Sequence, residues 1–392
     1  MGFNRSRLLI GVSSIIFWVG CISFLTDLSS EMIVPILPLF LTSVLHTQVG
    51  TIGIIEGVAE STASVLKLFS GWLSDQMGKR KPLMMIGYGL SNLIKPLFAI
   101  TTSGWQVLLI RFGDRFGKGV RGAPRDALIA DSTTKKDRGK AFGFHRAMDT
   151  LGAVIGPLIA YIVLRSHTGH YRTVFLISAI PGILSVLVLL FFLKEKKQEK
   201  SSSVRELPKI RFKGMGRQFI SFTLISTLFA LGNSSDAFLI LEAKHVGMQE
   251  ALIPLAYLAF NLAYTFTSIP TGILSDRIGR KPVIIGGYVI FAIIYLGFGL
   301  VHQPLGIWIL FVFYGLYYAA TEGIQKAYVS DIIPEGSRGT GIGTFNAITG
   351  LAALPASILA GFMWQFLGPL ATFGTSSILA LLAAILLLIK YK

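Results

Sequence analysis

The stretch Gly71-Trp-Leu-Ser-Asp75-Gln-Met-Gly78-Lys79-Arg80-Lys81-Pro82 returns later in the chain as Gly272-Ile-Leu-Ser-Asp276-Arg-Ile-Gly279-Arg280-Lys-Pro282. Two further pairs keep the same order at nearly the same offset. Asp126-Ala-Leu-Ile-Ala-Asp131 with Arg138-Gly139 is matched by Lys326-Ala-Tyr-Val-Ser-Asp331 with Arg338-Gly339, and Ser29-Ser30-Glu31 by Ser234-Ser235-Asp236. Three matches in order mark a duplicated unit. Each motif lies inside or between long apolar runs, so the duplicated unit is a set of membrane spans.

Composition agrees. Of 392 residues, 52% are hydrophobic and 14% charged, where a soluble domain carries roughly a quarter as charges; the mean hydropathy is +0.65. At roughly 20 residues per spanning helix the chain has room for about twelve spans. They are expected near 12–42, 50–74, 82–101, 104–130, 140–164, 172–193, 218–242, 250–275, 282–301, 304–330, 340–365 and 368–389. Such a chain is not a disulfide scaffold, a DNA-binding domain or a Rossmann enzyme. The single cysteine, Cys21, reads as a small hydrophobe in an apolar segment. Gly117-Lys-Gly119-Val-Arg-Gly122 matches a dinucleotide fingerprint literally, but no strand precedes it and no βαβ unit surrounds it. No metal-ligand spacing, nucleophile elbow or Walker lysine is present, so no cofactor, no ATP and no enzymatic activity are expected.

The net charge is +16, from 36 Lys+Arg against 20 Asp+Glu. The cations are unevenly placed. One set of connections holds Arg5, Arg7, Lys79, Arg80, Lys81, Lys135, Lys136, Arg138, Lys140, the run from Lys194 to Arg217, Arg277, Arg280, Lys281 and Arg338. The alternate set holds little beyond Arg165, Arg172 and Lys244. The positive-inside rule then puts both termini in the cytoplasm of a multi-pass plasma (inner) membrane protein. No nucleic-acid partner is expected, because no folded basic domain remains to bind one. The first apolar stretch lacks a cleavage site and continues into a full span. Lys194–Arg217 is the one long hydrophilic connection, and divides the chain into 1–193, a basic linker 194–217, and 218–392. The expected fold is an all-α integral membrane protein of twelve transmembrane helices. It forms two six-helix bundles related by a pseudo-two-fold axis along the membrane normal, as in transporters built from parallel repeats. That fold needs no partner subunit.

Hydropathy alone would reject the fourth span, which contains Arg111, Asp114, Arg115, Lys118, Arg121, Arg125 and Asp126. At roughly 3 kcal/mol per charge, facing lipid would cost on the order of 20 kcal/mol. Its repeat partner, 304–330, is plainly apolar, and dropping the span would invert every later loop. The charges fall within about 140° of one helical face at 100° per residue. This face is expected to line a water-filled cavity.

At the repeated Gly-x-Leu-Ser-Asp loop the chain resembles the major facilitator superfamily over essentially its whole length. It is most similar to the twelve-span drug:proton antiporter branch, through Pro35-Ile-Leu-Pro38, Arg115-Phe-Gly-Lys118-Gly119, and Gly143, Gly152 and Gly156-Pro157 in the fifth span. Lys118 replaces the branch's usual Gln, and Ala160 its final Gly. The resemblance implies that Asp75, Gly78, Lys79 and Asp131 form a conformational latch. Gly78 and Gly279 suit positive φ. Asp75 suits a helix N-terminus; Lys79 or Arg80 can pair with Asp131, and Arg280, near Asp276, with Asp331. Gln76 and Lys79 are departures that could weaken the latch. Gly152-x-x-x-Gly156 allows close helix approach, and Pro157 removes a backbone bond.

Ionisable groups inside spans are costly and mark substrate or proton pathways. Glu56, Glu60 and Lys67 lie within about 40° on the second span; Asp27 and Glu31 lie one turn apart on the first, and His145, Arg146 and Asp149 share the fifth. Glu60 and Asp149, near mid-depth, are the leading proton carriers, followed by Asp27, Glu31 and Glu56. Lys118, Arg115 and Arg146 are their partners, and with Arg111 they supply the cavity cations. The second half is read as the substrate side, with Asp236, Asn261, Tyr264 and Glu322 beside Tyr314, Tyr317 and Tyr318. The leading function is proton-driven export of a small organic or amphipathic solute. The rival is import or facilitation of a polar or anionic solute, such as a metal chelate or siderophore. A receptor that has lost transport is the reading from another class.

Overall fold

The computed structural model describes residues 8–9, 12–134, 137–166, 169–195, 215–334 and 338–390. Arg5, Arg7, Lys135, Lys136, linker positions 196–214 and the side chain of Arg338 lie outside the described residues. Apart from two short strands, β1 (Leu8–Leu9) and β2 (Val12–Ser13), the regular structure is helical. In order come α1 (Ser14–Ile33), α2 (Leu37–Ser43), α3 (Val49–Met77), α4 (Lys81–Ile94), α5 (Gly104–Asp131), α6 (Arg138–Ser166) and α7 (Tyr171–Phe191). Then follow α8 (Gly216–Gly232), α9 (Ala237–His245), α10 (Ile253–Ile278), α11 (Arg280–Leu300), α12 (Pro304–Ile332), α13 (Arg338–Leu367) and α14 (Pro369–Lys390).

Local chemistry explains the punctuation. Pro35, which has no N–H, sits in the break between α1 and α2, and Pro38 opens α2 in its first turn, where no donor is needed. A second break, Asn233–Asp236, divides α8 from α9, so the first and seventh spans are interrupted at corresponding places. Lys95-Pro96 converts the end of α4 into a 3-10 turn, Lys95–Ile100. Gly78 (φ 60°) and Gly279 (φ 96°) supply left-handed corners between α3 and α4 and between α10 and α11.

Among the described residues, ten helical stretches are long and apolar enough to cross a bilayer, with α1–α2 and α8–α9 each counted as one. The remaining two long helices are α5, loaded with charge, and α10, where hydroxyl and amide groups dilute the apolar run. At 28 and 26 residues both have spanning length. Leucine and isoleucine stay exposed along α7 and α14 (Ile180, Leu187, Ile378, Leu388), as lipid-facing surfaces require.

The backbone contacts separate two compact units. One comprises Met1–Val34 and Val65–Pro208, the other Pro35–Ser64 and Lys209–Lys392. The N-terminal half of α3 and all of α2 therefore belong with the second half of the chain.

In the first unit the basic ends of α1, α4, α5, α6 and α7 share a core of Ile16, Val19, Ile22, Met84, Tyr88, Leu128, Ala141 and Leu189. Above it α1 lies against α6. A Cβ added to Gly152 would fall 2.8 Å from Leu28 N and Phe24 O, and one at Gly156 would fall 2.8 Å from Glu31 Cβ. Pro157 lies inside α6, which continues through it. Gly143, expected to act with these glycines, faces open space; it stands outside the seam because α6 turns that position away from α1. In the second unit α3 meets α13 through a glycine face that sequence reasoning misses. A Cβ at Gly57 would fall 2.9 Å from Leu354 O, one at Gly361 2.8 Å from Val49 O, and one at Gly53 would collide with Ser357 O.

The seam predicts a contrast. Gly152→Ala is expected to destabilise the protein by about 1–3 kcal/mol through overpacking, whereas Gly143→Ala stays within about 0.5 kcal/mol. Thermal unfolding of the two variants in detergent measures the difference; equal midpoints would contradict the packing described.

Candidate functional site

The basic loops carry a clasp that recurs in both units with nearly the same geometry. In the first, Arg80 Nη1 lies 2.5 Å from Asp75 Oδ1 and 2.6 Å from Ser74 Oγ, and Arg80 Nε 3.4 Å from Asp131 Oδ2. In the second, Arg280 Nη1 lies 2.5 Å from Asp276 Oδ1 and 2.6 Å from Ser275 Oγ, and Arg280 Nε 3.4 Å from Asp331 Oδ2. The planar guanidinium suits this geometry because its donors reach two carboxylates at once. The first loop has one residue more, and that residue corrects an expectation: Lys79 is exposed, and Arg80 is the clasping cation. Lysine at 79 therefore costs the clasp nothing. The N-terminus of α4 also has an anion that sequence reasoning misses. Glu195 accepts from the backbone N–H of Arg80 (2.5 Å) and Lys81 (2.8 Å), while Lys81 Nζ donates to Leu190 O and Leu193 O at the end of α7.

Deeper in the first unit, the charged face of α5 differs from expectation. Arg111, Asp114, Arg115 and Arg121 are buried rather than lining water. Glycines let α4 and α5 approach closely, with a Cβ at Gly87 only 2.7 Å from Gly117 O, and polar groups of α4 then serve the charges. Ser91 donates to Asp114 at 2.5 Å, Arg111 stands 3.7 Å from Asp114, and the Arg121 guanidinium covers the Tyr88 ring at 4.5 Å. Arg125 pairs with Asp126 at 2.9 Å. Lys118 and Arg146 are exposed.

Lys95 is missed by sequence reasoning although a lysine in an apolar run was the available signal. It is 1% exposed, and its Nζ donates to Ser30 Oγ (2.7 Å), Asn92 Oδ1 (3.0 Å) and Ser29 Oγ (3.5 Å). Three acceptors occupy all three ammonium donors.

On the α1–α6 seam, Asp27 and Glu31 stand beside Gly152 and Gly156. One turn along α6, Asp149 Oδ2 lies 3.5 Å from His145 Nδ1, with side-chain exposures of 13% and 6%.

The second unit gathers the other carboxylates. Glu56 and Glu60 are expected among the ionisable groups of the N-terminal half; the contacts group them instead with Asp236, because the N-terminal half of α3 packs on α13. Glu56 is buried with Oε2 3.4 Å from Ser235 Oγ. Asp236, at the break before α9, accepts from Tyr314 OH at 2.8 Å, with Glu56 and Glu60 within electrostatic reach. Tyr314 and Tyr317 are buried, which settles two tyrosines as interior, while Tyr264 and Asn261 are half-buried on α10. Tyr264 OH donates to Glu322 at 2.9 Å, and Glu322 pairs with Lys326 at 3.3 Å. Rings of Phe260, Tyr314, Tyr317 and Tyr318 pack 5.2–5.3 Å apart. At the end away from the basic loops Lys244 meets Ser43 and lies 3.0 Å from Glu250, joining α2 to α9.

Interrupted helices at matching places in a duplicated chain, each with a carboxylate at or near the break, are how transporters build a mid-membrane site. The comparisons agree with that class. The family model described as Major Facilitator Superfamily matches residues 19–240 and 215–392, and the chain belongs to that family. It is a multi-pass membrane transporter with the family's two-bundle, twelve-helix architecture, and not an enzyme. An uncharacterised MFS-type transporter of Methanocaldococcus jannaschii is 38% identical over 383 residues, 96% of this chain and 95% of that one. Multidrug resistance protein MdtG of Escherichia coli (strain 55989) is 29% identical over 192 residues, 48% of this chain and 45% of that one. The crystal structure of nucleoside transporter NupG has the same fold, with a TM-score of 0.78 at 14% identity, covering 96% and 100% of the two chains.

The clasp predicts that Glu195→Ala accelerates amide hydrogen exchange at Arg80 and Lys81 by about tenfold or more, through loss of a charge-assisted bond. Unchanged exchange at both amides would show that Glu195 does not hold this helix end.

Proposed function

We propose that the chain is a secondary active transporter that exports a small organic or amphipathic solute in exchange for protons. It works by alternating access between halves 1–193 and 218–392, joined by the 194–217 linker. It resides in the plasma (inner) membrane with both termini cytoplasmic, in keeping with the loop cations. The observation that carries the proton reading is Asp149. Among the described residues the basic side chain nearest to it is His145 at 3.5 Å, with Arg121, Arg125 and Arg146 within electrostatic reach but not in the paired contact. A carboxylate so placed can change charge state as its surroundings change, whereas one locked to arginine cannot do so cheaply. Glu60, Glu56, Asp27 and Glu31 are the further proton candidates. Likeness along 48% of the chain to a multidrug resistance protein supports the export polarity.

In this scheme the two arginine clasps hold the basic ends in one state of the cycle. The Gly152/Gly156 seam with Pro157 keeps that half closed to leak. Asp236, Asn261, Tyr264 and Glu322 contact solute on the second unit, and Lys118 and Arg146, exposed on α5 and α6, are the candidate cavity cations of the first. A second reading, import or facilitation of an anionic solute, is favoured by one observation: the buried excess of cations formed by Lys95, Arg111, Arg115 and Arg121 around Asp114.

The test uses proteoliposomes loaded with a pH-sensitive dye, challenged with panels of lipophilic cations, neutral amphiphiles and organic anions. Wild type is expected to move protons with one of the first two panels, and Asp149→Asn and Glu60→Gln to lose at least about tenfold of that flux. Solute-linked proton flux surviving in both variants would remove the carrier assignment; flux with anions alone would favour the second reading.

A further inference from the structure

His145 stands in a row of polar groups that crosses four helices, with one ring nitrogen hydrogen-bonded and the other facing a carboxylate. Nδ1 faces Asp149 Oδ2 at 3.5 Å. Nε2 lies 2.8 Å from Ser23 Oγ on α1, and Ser23 Oγ lies 3.3 Å from Tyr88 OH on α4. Arg121 of α5 covers the Tyr88 ring at 4.5 Å. His145, Ser23 and Tyr88 are all buried.

Position gives the row a direction. At 1.5 Å per residue from Arg138, His145 lies about 10 Å and Asp149 about 16 Å along α6. The imidazole therefore stands between the carboxylate and the basic end of the helix. Packing alone would be met by an apolar side chain, without the cost of desolvating two ring nitrogens. Chemistry distinguishes the imidazole. In its neutral form one nitrogen donates and the other accepts, so it can take a proton on one side and release one on the other.

We propose that His145 relays the coupling proton between Asp149 and the basic end of α6, with Ser23 and Tyr88 as its hydrogen-bonded neighbours. The proposal rests on the proton-coupled reading of Asp149. In the step itself, the ring nitrogen facing Ser23 gains a proton and the one facing Asp149 gives its proton to the carboxylate. The ring is left neutral in its other tautomer, and charge moves from the carboxylate to the point of proton entry. The charged groups around the ring are Asp149 and Arg146 on its own helix and Arg125 and Asp126 of α5; Asp149 in turn faces Arg121 and Arg125 of α5, Arg146 of its own helix and Asp27 of α1. On α1 the neighbour is Ser23, with Asp27 one turn further; on α4 it is Tyr88. α7 has no ionisable side chain from Thr173 to Phe191.

The test is NMR of the full chain in lipid nanodiscs, with 15N-labelled histidine and 13C-labelled aspartate, titrated from about pH 3 to about pH 8, which takes in the ordinary ranges of a carboxylate and an imidazole. The chain has six histidines, so His145→Gln and Asp149→Asn identify the two signals by their loss. Both signals are expected to report the same two steps, separated by about one pH unit or more, as a coupled pair does. Asp149→Asn should collapse the His145 titration to one step. If that variant does not fold, Ser23→Ala serves, and is expected to displace the His145 steps.

An Asp149 signal that titrates while His145 stays constant overturns the relay and leaves Asp149 as a carrier. Independent titration of His145, insensitive to Asp149→Asn or Ser23→Ala, also overturns it. If neither signal titrates, both the relay and the carrier assignment of Asp149 fall.

Discussion

A bilayer core offers no water to a charged or hydrogen-bonding group, so each one placed there must find its partners within the protein. That constraint organises the first unit. Lys95 is surrounded by three oxygen acceptors from α1 and α4, and Asp114 is held by Ser91 and Arg111. Removing one member of such a set leaves a buried charge behind, at a cost of about 3–5 kcal/mol. The polar residues of α1 and α4 are thus part of the account of α5, whose eight charged residues would otherwise be ruinous in a membrane.

Close backbone approach is the second requirement, and glycine meets it. In lipid, helices gain little from burying apolar surface against one another, so association depends on contact distance and hydrogen bonding. Gly87 and Gly117 bring α4 to α5, Gly152 and Gly156 bring α6 to α1, and Gly53, Gly57 and Gly361 bring α3 to α13. Each seam carries ionisable groups beside it: Arg121 at the first, Asp27 and Glu31 at the second, Glu56 and Glu60 on the helix of the third. Tight seams and intramembrane charge occur together, since the charges need near neighbours.

The two arginine clasps show what duplication preserves. Distances agree between copies although one loop has an extra residue, because the left-handed glycine and the reach of the guanidinium absorb the difference. The geometry is retained, and the position of the cation in the motif is not.

Much of this protein is determined by its sequence alone. The duplicated motifs, apolar runs and alternating loop charge specify an all-helical chain of membrane spans, because a bilayer allows so few backbone solutions. Proline and glycine mark where those helices break and turn. The tertiary structure decided which groups meet. Periodicity places Glu56 and Glu60 on one face of α3, yet only packing on α13 sets them beside Asp236. It places seven charges on one face of α5, yet only contact with α4 shows four of them buried and Lys95 among their neighbours. Lys79 and Arg80 are equivalent on paper, and the loop's path selects Arg80. Helical spacing is a property of one segment, whereas partnership depends on the approach of segments distant in the chain, which the positions of small residues permit but do not by themselves direct.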